Sequence, residues 1–121
     1  MKKAVVVEDD ENNMLLVTDL LEMSGYVVIQ ARSGKEGLEV IFSEKPDFVI
    51  LDIGLPDMMG TEVVKQLRAS EKDGKLPVIA MTSFAMSGDR KRLMDAGCNG
   101  YIEKPIYPEK VIEQIRAIIG E

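Results

Sequence analysis

The segment from Phe48 to Gly60 constrains the fold of this chain more strongly than any other. Four apolar residues, Phe48–Leu51, run directly into the carboxylate of Asp52. A short apolar run of this kind is typical of a β-strand that is buried on both faces of a parallel sheet. Pro56 and Gly60 then mark a loop, and a helical pattern follows. Asp52 is therefore predicted at the carboxyl end of a buried strand, where open α/β sheets bind their ligands.

The rest of the chain alternates between strand patterns and amphipathic helical patterns. Five strands are predicted at about residues 4–7, 26–31, 48–51, 76–81 and 99–103, and a helix follows each of them. Such alternation predicts right-handed βαβ units with helices on both faces of one sheet. We therefore expect an α/β fold with a five-stranded parallel sheet of order 2-1-3-4-5, flanked by five helices and similar to flavodoxin.

Local signals predict several helix ends. Ser33 and Glu36 match a capping box, in which Ser33 accepts from the Glu36 amide while Glu36 reaches back. Gly25 suits the residue after the end of the first helix, and Pro108 suits the first position of the last helix. The apolar stripes of the first two helices are predicted to comprise Leu16, Val17, Leu20, Leu21 and Met23, and then Leu38, Ile41 and Phe42.

Composition excludes several classes of function. The 121 residues suit one domain, and a net charge of −6 argues against nucleic-acid binding. No apolar run approaches the ~20 residues that span a membrane, and no signal-peptide pattern opens the chain. The lone thiol, Cys98, fits a packing role in a reducing compartment, so we expect the cytoplasm. The chain has no histidine, so any bound metal must have oxygen ligands.

Residues whose side chains can bind a metal ion or take part in a reaction follow four of the five predicted strands. They are Glu8, Asp9 and Asp10 after the first strand, Asp52 after the third, Thr82 after the fourth and Lys104 after the fifth. Carboxylates that meet at one sheet edge repel one another, and a hard cation such as Mg²⁺ relieves that repulsion. A carboxylate can also attack phosphorus, and phosphoryl transfer needs mainly positioning and charge neutralisation. The pattern predicts a Mg²⁺-dependent phosphoryl site with Asp52 as its reactive group.

Each of these residues also has a simpler structural interpretation. Asp10 is better explained as a helix N-cap than as a metal ligand. Thr82 can cap the next turn, and Lys104 fits a surface lysine. Glu8 and Asp9 fit solvated loop acids, although a triple acid that directly ends a buried strand favours a site. The combination, and no single residue, supports the functional interpretation.

Taken together, these residues resemble the receiver domain of bacterial two-component response regulators over essentially the whole chain. The matching motifs are Glu8-Asp9, Asp52 with Pro56 and Gly60, Thr82, and the run from Tyr101 through Lys104 to Pro105. Residues 8–14, 84–89 and 97–98 are most similar to stand-alone receivers of the DivK type. The resemblance implies a single receiver domain over residues 1–121 with no output domain.

The resemblance also implies a role for each site residue. Asp52 would accept a phosphoryl group, and Mg²⁺ (or Mn²⁺ in its place) would be held by Glu8, Asp9, Asp52 and the backbone carbonyl of Gly54. Lys104 would contact the phosphoryl group, and the Lys104–Pro105 peptide would be cis. Thr82 and Tyr101 would move on phosphorylation, while Pro56 and Gly60 shape the loop after Asp52.

The resemblance further implies the partners. Because the chain lacks histidine, its phosphodonor would be a sensor histidine kinase, a histidine phosphotransfer protein or a small molecule. A downstream protein effector would contact the face formed by helix four, strand five and helix five, without nucleic acid or membrane. The domain would be a monomer or weak dimer that assists its own phosphotransfer and dephosphorylation without being a dedicated enzyme. Gly54 and Phe84 occupy the two positions that affect in this family how long the phosphate persists, so the resemblance does not imply a particular lifetime.

Two other classes of function compete with this one. A Mg²⁺-dependent phosphatase with an aspartyl nucleophile usually carries a second Asp two residues later, where this chain has Gly54. A flavodoxin-like binder of small molecules needs a phosphate-binding glycine-rich loop after the first strand, where this chain has an acidic cluster. A phosphorylatable receiver remains the preferred hypothesis.

Overall fold

Five parallel strands form one sheet in the order β2-β1-β3-β4-β5, which confirms the predicted fold class. The structure is a computed structural model, and it describes residues 2–70, 76–83 and 87–121, with the side chains of 87–89 left out. Its strands are β1 (Lys3–Val7), β2 (Val27–Ala31), β3 (Phe48–Asp52), β4 (Val78–Thr82) and β5 (Gly100–Glu103). Its helices are α1 (Glu11–Met23), α2 (Gly34–Glu44), α3 (Gly60–Ser70), α4 (Ser87–Ala96) and α5 (Pro108–Ile119).

Successive strand residues point to opposite sides of the sheet, and helices pack on both sides. In β3, Phe48 and Ile50 pack with residues of α1 and α5, whereas Val49 and Leu51 pack with residues of α2, α3 and α4. All five residues of β3 and all five of β4 are buried. The apolar run that ends in Asp52 is therefore a central strand covered by helices on each side.

Two predicted core residues are exposed, and both errors concern the phase of a helix. Met23 is 83% exposed, because the buried stripe of α1 runs through Met14, Val17 and Leu21. Phe42 is 46% exposed, one residue beyond the buried Ile41 of α2. Each residue of a helix turns by about 100°, so a shift of one or two positions moves a side chain from core to solvent.

The helix ends agree with most of the local signals. Gly25 has a φ of 95° after the C-cap of α1, and Pro108 begins α5. The Ser33 hydroxyl accepts from the N–H of Glu36 at 3.1 Å, as the capping box predicts. The Glu36 carboxylate, however, accepts at 3.4 Å from the N–H of Arg32, one residue before the predicted partner. The reciprocal half of the box is therefore displaced along the chain.

Cys98 is buried beside Arg68, in the core on the α3 side of the sheet. Burial raises the pKa of its thiol to about 11, although the nearby charge of Arg68 opposes the shift. This position agrees with the predicted packing role. The predicted motif at residues 84–89, which includes Phe84, lies outside the residues and side chains that the structure describes. Among the described helices, none is long and apolar enough to cross a membrane.

Candidate functional site

The pairing of β1 with β3 brings the acidic residues together. Val7 lies opposite Leu51 in the last registered pair, so the next residues, Glu8 and Asp52, lie side by side. One carboxylate oxygen from each of Glu8, Asp9 and Asp52 falls within a group whose members lie within 4.8 Å of one another. Glu8 is fully buried and Asp52 is 6% exposed, whereas Asp9 faces solvent. The predicted carboxylate cluster is therefore present at the carboxyl edge of the sheet.

The backbone N–H of Asp10 donates to Oε2 of Glu8 at 3.3 Å, but its side chain does not belong to this cluster. Its side chain accepts from the N–H of Asn12 at 3.3 Å, and its carbonyl accepts from the N–H of Met14 at 2.9 Å. Both bonds belong to the N-cap of α1, which satisfies amides that the helix itself cannot bond. The prediction that Asp10 caps a helix is confirmed.

Lys104 reaches the cluster from the end of β5. Its backbone N–H donates to the carbonyl of Thr82 at 2.8 Å, and its peptide bond to Pro105 is cis. Its ammonium group donates to Oδ1 of Asp52 at 3.1 Å and lies 3.1 Å from Oε1 of Glu8. A single cation thus faces two buried carboxylates, and this excludes the interpretation of Lys104 as a surface lysine.

The electrostatics of the site favour a bound cation. Burial, together with the adjacent Asp52 carboxylate, raises the pKa of Glu8 to about 7, and Lys104 offsets only part of this rise. Burial lowers the pKa of Lys104, but its hydrogen bond to Asp52 and its ion pair with Glu8 outweigh that effect, and the pKa is raised overall. The carboxylates therefore carry more negative charge than the single ammonium group can neutralise.

One oxygen of the cluster lacks a hydrogen bond. Oε1 of Glu8 is buried and accepts none from the described residues, because its contact with Lys104 is an ion pair without hydrogen-bond geometry. Because Oε1 accepts no hydrogen bond, its lone pairs can accept a second cation besides the ammonium group of Lys104. Three carboxylates with one such oxygen form a donor set that fits Mg²⁺, which takes oxygen ligands and tolerates few carboxylates.

A cavity of about 280 Å³ opens beside Asp52. Its lining includes Asp52, Gly54, Met59, Thr82, Ser83, Arg92 and Lys104. Thr82 is 5% exposed and ends β4, directly beside the strand that carries Asp52. The cavity therefore combines a carboxylate, two cationic side chains and two hydroxyl groups, a set that suits an anionic group.

The loop after Asp52 is closed at its base. Gly54 and Met59 form an isolated antiparallel bridge, and the N–H of Gly60 donates to the carbonyl of Ile53 at 2.8 Å. A Cβ on Gly60 would lie 2.6 Å from the carbonyl oxygen of Asp52, too close for any side chain. Gly60 is therefore required by space, whereas among the described residues, apart from its chain neighbours, no heavy atom lies within 4 Å of the corresponding position at Gly54.

Comparison with known proteins decides the family. A model of the response regulator receiver domain matches residues 4–116. The chain is a response regulator receiver domain. It is 45% identical to the polar-differentiation response regulator DivK of Brucella ovis over 99% of this chain and 98% of that relative. The predicted family and its DivK-like character are confirmed.

Solved structures of other receivers agree with the fold of this domain. The chemotaxis response regulator CheY4 of Vibrio cholerae has a TM-score of 0.93 at 26% identity, over 98% of each chain. The receiver domain of sensor histidine kinase PA1611 from Pseudomonas aeruginosa has a TM-score of 0.88 at 28% identity, over 99% of this chain and 98% of that one. That structure has a magnesium ion coordinated in its active-site cleft.

Membership of this family implies the general function of the domain. Receiver domains bind Mg²⁺ at an acidic site, accept phosphoryl groups and interact with histidine kinases and effectors. They are not a family of dedicated enzymes. The cluster of Glu8, Asp9 and Asp52 in this receiver is consistent with both Mg²⁺ binding and phosphoryl acceptance.

Tyr101 lies outside the cavity beside Asp52. It pairs with Ala80 in the sheet, and its ring lies 5.1 Å from the guanidinium carbon of Arg90 on α4. The same guanidinium donates a hydrogen bond to the Tyr101 hydroxyl. A groove beside this pair is lined by Met94, Gly100 and Ile118. The receiver therefore holds this ring towards α4.

The sequence interpretation missed two residues near the site. Arg92 lines the cavity from α4, although its sequence context indicated only the solvated face of a helix. Asp57, in the loop after Asp52, binds the backbone at the start of α2. Neither contact has a local signature, because each joins elements that are distant in sequence.

Proposed function

We propose that Asp52 accepts a phosphoryl group from a phosphohistidine on a sensor histidine kinase or a histidine phosphotransfer protein. The main support is the position of Asp52, which is buried and borders the cavity. One of its carboxylate oxygens accepts a hydrogen bond from the ammonium group of Lys104. A carboxylate oxygen would attack phosphorus in line with the leaving imidazole nitrogen. The new bond is an acyl phosphate, and the nitrogen–phosphorus bond breaks to leave the partner's histidine.

Mg²⁺ would be held by Glu8, Asp9, Asp52 and the carbonyl of Gly54, and Mn²⁺ would substitute for it. The Glu8 oxygen that accepts no hydrogen bond from the described residues and the spacing of the three carboxylates support this assignment. When bound, the cation would neutralise the charge that the carboxylates and the phosphoryl oxygens share. Both ions prefer oxygen donors, which this site offers in number.

Three further residues would act on the phosphoryl group or respond to it. Lys104 would move its ammonium group from the carboxylates to a phosphoryl oxygen, because the phosphoryl group brings negative charge into the cavity. Thr82, which lines the same cavity, would donate its hydroxyl hydrogen to another phosphoryl oxygen. Tyr101 would leave Arg90 and turn inward behind Thr82. The cis peptide before Pro105, together with Pro56 and Gly60, would shape the backbone around these groups.

The output would be read on the face formed by α4, β5 and α5. Tyr101 and Arg90 lie on that face, so a change at the cavity would alter a surface that a protein effector can bind. We propose that residues 1–121 act as one receiver domain in the cytoplasm, as a monomer or weak dimer, and that they bind neither nucleic acid nor membrane. The near-complete coverage of the DivK relative supports this size. The domain would also assist loss of its own phosphoryl group.

The deciding experiment is incubation with acetyl phosphate and Mg²⁺, followed by mass spectrometry of borohydride-trapped protein. We expect one adduct on Asp52, none in Asp52→Asn and none when EDTA replaces Mg²⁺. Asp47→Asn is the matched control, because Asp47 is a carboxylate that accepts from the N–H of Lys3 at 2.7 Å, before the opposite end of β3. An adduct on another residue, or one formed without metal, would overturn the proposal. Rapid turnover of a phosphomonoester would instead indicate a phosphatase.

A further inference from the structure

The loop that follows Asp52 is tied to the start of helix α2. Both carboxylate oxygens of Asp57 accept backbone hydrogen bonds there, Oδ1 from the N–H of Gly34 at 2.7 Å and Oδ2 from that of Lys35 at 2.9 Å. These amides lie in the first turn of α2, where no carbonyl of the helix can accept from them. Ser33 satisfies only the next one, at Glu36. Asp57 thus completes the cap of a helix that begins 23 residues before it.

The contact between the loop and α2 is close as well as polar. The hydrogen bonds from Gly34 and then from Lys35 lower the pKa of Asp57, so the carboxylate remains charged at neutral pH. A Cβ on Gly34 would lie 2.4 Å from Cγ of Met58, so the helix backbone packs directly on the residue after Asp57. The tip of the loop is therefore held at two adjacent points.

The base of the same loop is closed by backbone contacts within the loop itself. The bridge between Gly54 and Met59 and the bond from Gly60 to Ile53 fix where the loop leaves and rejoins the fold. Gly54 is exposed and has no side chain to pack. The direction of its carbonyl therefore depends on the backbone around it, which includes the buried neighbours Ile53 and Leu55 and the loop that Met59 closes.

We propose that Asp57 is a positioning residue for the magnesium site, which presets the Gly54 carbonyl by holding the loop tip on α2. The inference rests on the proposed function, in which that carbonyl is a metal ligand. Both oxygens of Asp57 are occupied by amides, so the residue acts through the backbone and not as a ligand. A ligand that is already oriented loses less freedom when the cation binds, and affinity rises accordingly.

The test compares Asp57→Ala with Ser33→Ala, since both remove a cap from the same helix and only the first frees the loop. Magnesium affinity of the full chain is measured by isothermal titration calorimetry at pH 8. Each variant should lose about 1 kcal/mol of unfolding free energy. We expect the dissociation constant for Mg²⁺ to rise by about tenfold in Asp57→Ala and to stay at the wild-type value in Ser33→Ala. Equal constants in the two variants would overturn the positioning role.

Removal of Asp57 also removes a negative charge near the cation, and salt separates this effect from positioning. In ~1 M KCl the screening length falls to about 3 Å, so an exposed charge contributes little. We expect the ratio of dissociation constants between the two variants to persist at that ionic strength. If the ratio falls to unity, the effect is one of charge and the positioning role is wrong.

Amide hydrogen exchange in the metal-free protein gives an independent readout. We expect faster exchange at Gly34, Lys35 and Gly60 in Asp57→Ala, and faster exchange at Glu36 alone in Ser33→Ala. Unchanged exchange at Gly60 in Asp57→Ala would show that the loop does not depend on its tip. The outcome is separable from the proposed function, because failure of the wild-type protein to form an Asp52 adduct would refute that function and leave these comparisons intact.

Discussion

The ammonium group of Lys104 donates a hydrogen bond of 3.1 Å to the Asp52 carboxylate, at the position where a phosphoryl group would be attached. The same group faces Oε1 of Glu8. Lys104→Met keeps the approximate length of the side chain and removes the positive charge that faces two buried carboxylates. We expect the unfolding free energy in EDTA at pH 8 to fall by about 1–3 kcal/mol, measured by urea denaturation.

Magnesium should bind Lys104→Met more tightly than the wild-type protein, because no ammonium group competes for the carboxylates. The adduct on Asp52 should form more slowly, since one positive charge is missing from the cavity. Lys65→Met is the control, because Lys65 is exposed on α3 and should change neither quantity. A metal-free stability equal to that of the wild type would contradict the account of this ion pair.

The raised pKa of Glu8 predicts the pH dependence of magnesium binding. With a pKa of about 7 in the metal-free fold, Glu8 holds a proton at lower pH and must release it before it binds the cation. The association constant should rise with pH by up to about tenfold per unit below pH 7 and level off above it. Calorimetry across pH 5.5–8.5 would measure it at roughly half-unit steps, and Glu8→Gln should remove the dependence.

The raised pKa of Glu8 also predicts that the metal-free protein becomes less stable as the pH rises, whereas magnesium binding becomes tighter. The pKa of Glu8 rises from 4.5 to about 7 on folding, so the folded state binds more protons between these values. The stabilising contribution is complete below pH 4.5 and is lost as the pH rises through about 7. Urea unfolding in EDTA should therefore show a decline over this window that is absent from Glu8→Gln.

Two glycines of one loop predict opposite responses to the same substitution. Gly60→Ala places a Cβ 2.6 Å from the backbone oxygen of Asp52, and this oxygen cannot move without shifting Asp52 itself. We expect a loss of about 1–3 kcal/mol in unfolding free energy and slower adduct formation. A Cβ on Gly54 meets no heavy atom of the described residues within 4 Å beyond its chain neighbours, so Gly54→Ala should change the unfolding free energy by less than about 0.5 kcal/mol. Similar losses in both variants would contradict the packing described for this loop.

The contact between Arg90 and Tyr101 should determine what fraction of the Tyr101 rings points inward. The Arg90 guanidinium holds the ring by stacking and by a hydrogen bond to the hydroxyl. A contact of this kind at an exposed site contributes about 0.5–1 kcal/mol, so Arg90→Gln should raise the inward population about two- to fivefold. The Tyr101 ring resonances report this population directly, and Lys91→Gln is the neighbouring control. A ring that stays outward in both variants would contradict the proposed role of Arg90.

The sequence predicted the sheet and the residues at its edge because both follow from local patterns. An apolar run marks a central strand, and the residue that ends the run is the one that reaches the shared edge. Asp52, Thr82 and Lys104 meet for this reason. The buried face of a helix was harder to predict, as the exposed Met23 and Phe42 show. Residues at the border of an apolar stripe lie only about 100° around the helix axis from buried ones, so the pattern does not separate them.

Contacts between distant segments could not be predicted in this way. Asp57 is one of several acids in polar loops, and nothing adjacent to it marks the amides of α2 as its partners. Arg90 has the same sequence context as its basic neighbours, and only the folded backbone brings it to Tyr101. Such pairs depend on tertiary geometry, which local periodicity does not encode.

The burial of Cys98 has a practical consequence for spectroscopy. It is the single thiol of the chain, it is 5% exposed, and its raised pKa keeps it in the unreactive protonated form at neutral pH. A cysteine introduced at Met59, which is 52% exposed beside the cavity, would therefore react selectively with a maleimide dye or a nitroxide. The wild-type chain thus already provides a silent background for site-specific labels.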